Sequence, residues 1–187
     1  MSFSTYVWDL ETTDLTTFMG RVIVASFLDM GSGKVQSSTI FDHGPLGTAR
    51  RVDAAERKLV GWVLDHIERA DVLVGHNSKA FDCNFLRGRM ASLEIADRLP
   101  KRVHLDTYLI ARYAFKGLPQ GYSLDNLAEF FRLIEKKDKP PKYDWANSTI
   151  LDEPAIRRIR RRCESDVRVT GMLWEKLRPY YFEWRGS

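Results

Sequence analysis

Tyr6-Val7-Trp8-Asp9-Leu10-Glu11-Thr12-Thr13 runs from aromatic and β-branched residues into a polar exit, the composition of a core β-strand reaching its end. Side chains alternate across a strand, so Asp9 and Glu11 share one face while Trp8 and Leu10 take the other. Two residues of rise set the carboxylates roughly 6.5–7 Å apart at Cα. Buried without partners they would cost several kcal/mol, roughly, through desolvation and mutual repulsion. Two arrangements remove that cost. Either the strand ends in water, or a divalent cation sits between the acids.

Downstream, Arg21 to Asp29 and Lys34 to Phe41 alternate as two further strands around a turn at Met30-Gly31-Ser32-Gly33. Residues 5–41 therefore read as a three-stranded antiparallel meander. The Met30-to-Lys34 run is not a phosphate loop, because its first glycine is missing and Val35 stands where a metal-binding hydroxyl is needed. Asp53 is placed to cap a helix over about 54–69, whose face is Leu59, Val60, Val63, Leu64 and Ile67. Short strands at 71–75 and 103–105 alternate with helices over about 81–92, 107–115 and 124–133, the last capped by Ser123. The stretch from Lys136 to Asn147 shows no regular pattern, and a final helix spans about 153–177. The expected fold is α/β, a single domain over residues 1–187 with a mixed sheet (three antiparallel strands, then parallel ones) flanked by helices.

Two more acids stand at places suited to chemistry. Asp82 follows the strand exit Gly75-His76-Asn77-Ser78 and opens a helix, where the macrodipole favours an anion. It is a functional carboxylate or an ordinary helix-terminal Asp, with Asn77 as a turn residue. On the last helix Ile156, Ile159, Cys163, Val167, Thr170, Trp174 and Leu177 form an apolar stripe. Asp166 lies about 100° from Val167, at the margin of that stripe, with Arg162 and Arg158 one and two turns earlier. An inward acid and a plain Asp–Arg surface pair both fit this spacing.

Taken together and in order, Asp9-x-Glu11, Asn77-x-x-x-Phe81-Asp82 and Cys163-x-x-Asp166-Val167 resemble the DEDD (DnaQ-like) superfamily of 3′–5′ exonucleases, which has a ribonuclease H-like fold. The resemblance covers about residues 5–178 and includes Thr12-Thr13, Leu105-Asp106-Thr107 and Tyr122 to Ala128. It implies hydrolysis of phosphodiester bonds from a DNA or RNA 3′ end. Asp9, Glu11, Asp82 and Asp166 would hold two divalent cations, Mg²⁺ or Mn²⁺, at the roughly 3.5–4 Å spacing of two-metal sites. It also implies substrate contacts from Thr12 and Thr13, with Asn77 as the motif asparagine, and a nucleoside monophosphate product. Read from the residues, Phe18 is a base-stacking or a core side chain, and His76 a phosphate contact or a loop histidine with no role. The closest pattern is the tyrosine subfamily, yet Arg162 occupies the tyrosine position. Arginine stays protonated, so it cannot be a general base, but it can contact the scissile phosphate. Two rivals keep the same fold: a nucleic-acid-binding module with weakened chemistry, and a structure-specific endonuclease.

The bulk numbers agree. The chain has 187 residues, 44% hydrophobic, with a net charge of +4 that permits a polyanionic partner. Arg157, Arg158, Arg160, Arg161 and Arg162 cluster, with Lys136, Lys137, Lys139 and Lys142 upstream. No membrane span or signal peptide is apparent, which leads to the expectation of a cytoplasmic product, from a bacterium or a phage-infected cell. The length suits a stand-alone exonuclease, with a polymerase partner as an alternative. Cys83 and Cys163 read as buried thiols rather than ligands or a disulfide.

Overall fold

The computed structural model describes residues 3–99, 103–135 and 139–186, with side chains up to Tyr181. Five strands form one sheet in the order β3-β2-β1-β4-β5: β1 Thr5–Thr12, β2 Val22–Asp29, β3 Val35–Thr39, β4 Val72–Gly75 and β5 Val103–Asp106. The first three are antiparallel, whereas β4 and β5 run parallel to β1. The expected mixed sheet is the observed one. The decisive stretch is its middle strand.

Helices α1 Ala49–Arg69, α2 Asp82–Ser92, α3 Thr107–Ala114, α4 Leu124–Phe130, α5 Lys142–Thr149 and α6 Glu153–Gly186 cover the sheet. Alternation along β1 divides the core. Trp8 and Leu10 join the cluster built on α1 and α2, and Val7 packs with Val167, Val169 and Leu173 of α6. Every residue of the α6 stripe is buried. The face of β1 that carries Asp9 and Glu11 therefore looks toward α6. The Cys163 thiol, donating to the Asp9 carbonyl at 3.5 Å, fastens helix to strand at that level. Both cysteines are free, Cys163 buried and Cys83 partly so.

Two features shape the acid-bearing end of β1. Its parallel ladder with β4 stops at Val7 opposite Val74, while its antiparallel ladder with β2 continues to Thr12. A register shift between Glu11 and Thr12 then bends the strand, as bulges beside functional sites do. The sheet thus has a notch at the carboxyl end of β4, the position where open α/β sheets bind ligands.

Several boundaries differ from expectation. The cap of α1 is Thr48, whose side chain accepts from the Arg51 amide, whereas Asp53 pairs with Arg21 at 2.6 Å. β3 gives way at Ile40–His43 to a 3₁₀ turn, and α4 stops at Phe130 because Arg132 adopts a left-handed conformation (φ 52°). Within the stretch from Lys136 to Asn147, expected to be irregular, α5 begins at Lys142, after Pro141. Its stabilising contact is tertiary, a two-pronged pair from Arg158 to buried Asp144 at 2.6 and 2.8 Å, so no apolar stripe announced it. Lys136 and Lys137 lie outside the described residues. Finally, α6 continues through Pro179. Tyr180 packs on Phe115 and Tyr181 on Trp174, contacts that offset the hydrogen bond the proline removes.

Candidate active site

Asp9, Glu11 and Asp166 each offer a carboxylate oxygen, and these oxygens all lie within 4.8 Å of one another. Two come from alternate positions of β1 and the third from the inner margin of α6, so sheet and helix must both form before the cluster exists. Asp166 is buried, and Asp9 and Glu11 are half-buried. A set of three carboxylates is suited to hard cations such as Mg²⁺ or Mn²⁺.

Asp82 is not in that set. It is 4% exposed, behind the strand end, and its Oδ1 accepts the Leu10 amide at 3.2 Å. This amide faces the notch that β4 leaves, so Asp82 takes the place of a ladder partner midway between Asp9 and Glu11. Burial, and then the charge of Asp9, push its carboxyl well above the usual carboxylate range. A cation near Asp9 would relieve both effects.

Arg162 enters the cluster from one turn before Asp166. Its Nε donates to Glu11 Oε1 at 3.2 Å, and its Nη2 lies 3.6 Å from Asp166 Oδ2. Burial opposes the charge, but Asp166, Glu11 and Asp9 more than offset it and raise the guanidinium pKa. The Arg162–Asp166 contact is consequently no surface pair. The guanidinium carbon also stands 5.6 Å from the ring centroid of Trp145 on α5.

The loop after β4 is held by Asp106, at the end of β5. One carboxylate oxygen accepts the amides of Asn77 (2.9 Å), Tyr108 (3.0 Å) and Leu109 (3.4 Å); the other accepts Lys79 (3.0 Å). It caps α3 and fixes the approach to Asp82 in one stroke. Asn77 adopts a left-handed conformation there (φ 59°), which asparagine tolerates better than most residues. The Thr107 hydroxyl donates to the Gly75 carbonyl at 3.0 Å and so must accept from His76 Nδ1 at 2.9 Å, which fixes the His76 tautomer. Beneath the loop, His104 contacts Ser78, Trp8 and Cys83; burial lowers its pKa to about 4 and raises that of Cys83 to about 11.

A cleft of about 390 Å³ opens between Asp9, His76, Asn77, Tyr108, Ser123, Leu124 and Asp166. Sequence reasoning named the acids, His76 and Asn77 but not Tyr108; it saw Ser123 as a helix cap and both Ser123 and Leu124 within a familiar connecting segment. Thr12 closes β1 and Thr13 follows it. The Thr12 hydroxyl donates to the Asp14 carbonyl at 2.7 Å, and the Thr13 hydroxyl accepts the Arg21 amide at 3.0 Å. Both hydroxyls thereby tie the strand end to the loop that follows it. Phe18, at the tip of that loop, is 91% exposed and belongs to no core cluster.

A family model described as the RNase H superfamily matches residues 6–177. The chain belongs to the RNase H superfamily. A DNA polymerase of Methanocaldococcus jannaschii is 25% identical to this superfamily member over 150 residues, 68% of the present chain and 9% of the polymerase. The family B DNA polymerase from the hyperthermophilic archaeon Pyrobaculum calidifontis shares the fold, with a TM-score of 0.71 at 21% identity over 96% of this chain and 25% of that one. The chain therefore spans only a small part of each polymerase. Superfamily membership and the acid cluster together support a nuclease that acts on nucleic acid with divalent cations.

Proposed function

We propose that this chain is a DEDD-type 3′–5′ exonuclease that removes nucleotides from a DNA or RNA end and needs Mg²⁺ or Mn²⁺. The observation that carries this reading is the convergence of Asp9, Glu11 and Asp166 within 4.8 Å, with Asp82 bonded to the strand between the first two. Bound divalent cations would lower the pKa of an attacking water and offset charge on the phosphate oxygens. Asp9, Glu11 and Asp166 would hold them, and Asp82 would supply charge from behind the strand. The cleft beside Asp9 and Asp166 would receive the terminal nucleotide, where Asn77, His76, Tyr108 and Ser123 offer polar contacts. Arg162 would meet the phosphate as it gains negative charge. Likeness to segments of two DNA polymerases favours DNA as the first substrate to try, with a polymerase as a fitting partner.

The test is digestion of a 3′-labelled single-stranded oligonucleotide with Mg²⁺, Mn²⁺ or EDTA, beside a closed circle. The wild type should release labelled mononucleotide only with a cation and leave the circle intact; Asp9→Asn should release none. Cleavage of the circle would replace this reading with an endonuclease. One observation favours a second reading: an arginine already pairs with two of the acids. A module that only binds nucleic acid would show salt-sensitive binding without turnover under any cation.

A further inference from the structure

Arg162 is bonded to the very carboxylates that the proposed cations need, and in that same position its guanidinium carbon already lies beside the ring of Trp145. Its side chain is 22% exposed, between Glu11 at 13% and Asp166 at 6%. A guanidinium cannot shed its proton at working pH, so it can stop competing for these acids only by moving. A monovalent and a divalent cation a few ångströms apart in a half-buried site repel strongly, so one displaces the other. On its outer side Arg162 faces Trp145, 5.6 Å away, an indole able to hold a cation electrostatically. Trp145 is itself held in place, because its neighbour Asp144 is locked to α6 by both arms of Arg158.

We infer that Arg162 is a resident counter-ion of the acid cluster, which a divalent cation displaces from Glu11, and that Trp145 holds the displaced guanidinium beside the site in position to meet a phosphate. This rests on the metal-dependent reading above. It goes further by giving α5 a function: the Trp145 ring, already beside the guanidinium, is the contact that tightens when Glu11 lets go. In the absence of metal the guanidinium neutralises Glu11 and Asp166 and so stabilises the fold. With metal bound it is released toward substrate. Metal binding and the availability of the arginine are thus one coupled equilibrium.

The test uses Mn²⁺ alone, titrated into the full chain without nucleic acid, with free Mn²⁺ followed by electron paramagnetic resonance and melting followed with EDTA or Mn²⁺. Arg162→Gln removes the competitor, so it should bind Mn²⁺ about tenfold more tightly than the wild type, equivalent to about 1.4 kcal/mol. It should also melt lower in EDTA and recover in Mn²⁺, because its acids then face one another unscreened. Trp145→Leu removes the contact that tightens on the displaced guanidinium and should weaken Mn²⁺ binding by up to roughly two- to five-fold, the range of an exposed cation–π contact. With saturating Mn²⁺ and oligonucleotide, Arg162→Gln should turn over more slowly despite its tighter metal. Equal or weaker Mn²⁺ binding by Arg162→Gln, in chains that still digest DNA, overturns the counter-ion role and leaves the nuclease reading standing. Unchanged binding by Trp145→Leu overturns the role given to Trp145. Absence of Mn²⁺ binding by the wild type and every variant removes both this inference and the metal-dependent function beneath it.

Discussion

Asp106 touches none of the clustered acids, yet its replacement by alanine tests how the site is held. Its carboxylate accepts four backbone amides from two segments, at 2.9–3.4 Å, and the residue is 3% exposed. Loss of the α3 cap costs about 1 kcal/mol. The Asn77 and Lys79 amides then lack an acceptor, at about 1–3 kcal/mol each when fully buried. Both belong to a loop that can relax toward water, so the lower end of that range applies. The expected destabilisation of Asp106→Ala is about 3–4 kcal/mol, and for a domain of this size the melting temperature should fall by roughly 6–16 °C. Asp106→Asn keeps one acceptor oxygen but turns an amino group toward a donor, and should cost about half as much. Thermal melting in EDTA measures both without any contribution from bound metal. A shift below about 1 kcal/mol for the alanine variant would refute the claim that this carboxylate braces the loop.

Two further predictions concern buried titrating groups. Asp82 has its folded pKa raised, so its contribution to stability is present at low pH and is lost as pH rises through the folded value. In EDTA at neutral pH, Asp82→Asn keeps the acceptor for Leu10 and removes a carboxyl whose ionised form burial and Asp9 disfavour, so stability should be equal or higher while nuclease activity is lost; a lower melting temperature would contradict this. His104 is shifted the other way, to about 4, so its contribution is complete above about 6.5 and falls as pH drops toward 4. Stability of the wild type at pH 5 should carry a penalty of about 2 kcal/mol from this group, and His104→Gln should flatten the pH profile between 7 and 5. Parallel profiles for the two proteins would rule out the assignment.

Much of the site was legible without coordinates because local periodicity carries it. The alternation of β1 separated Asp9 and Glu11 from Trp8 and Leu10, and the 3.6-residue stripe of α6 located Asp166 at its inner margin. Both assignments depend on geometry that any strand or helix imposes on its own residues. Asp82 shows where this ends. A helix N-terminus is visible in sequence, but that its carboxylate would serve the Leu10 amide, rather than join the three-acid set, depends on β4 stopping short beside β1. The same holds for α5. It has no apolar stripe, and the contact that stabilises it lies fourteen residues away on α6. The sequence by itself determined the faces of β1 and α6 and the antiparallel and parallel halves of the sheet, since each follows from neighbours within a turn or two, whereas the four acids were singled out by the resemblance of three motifs in order. Only the tertiary structure decided that Arg162 pairs with Glu11 across 151 residues of chain and stands beside Trp145, because long-range pairing depends on how finished elements pack.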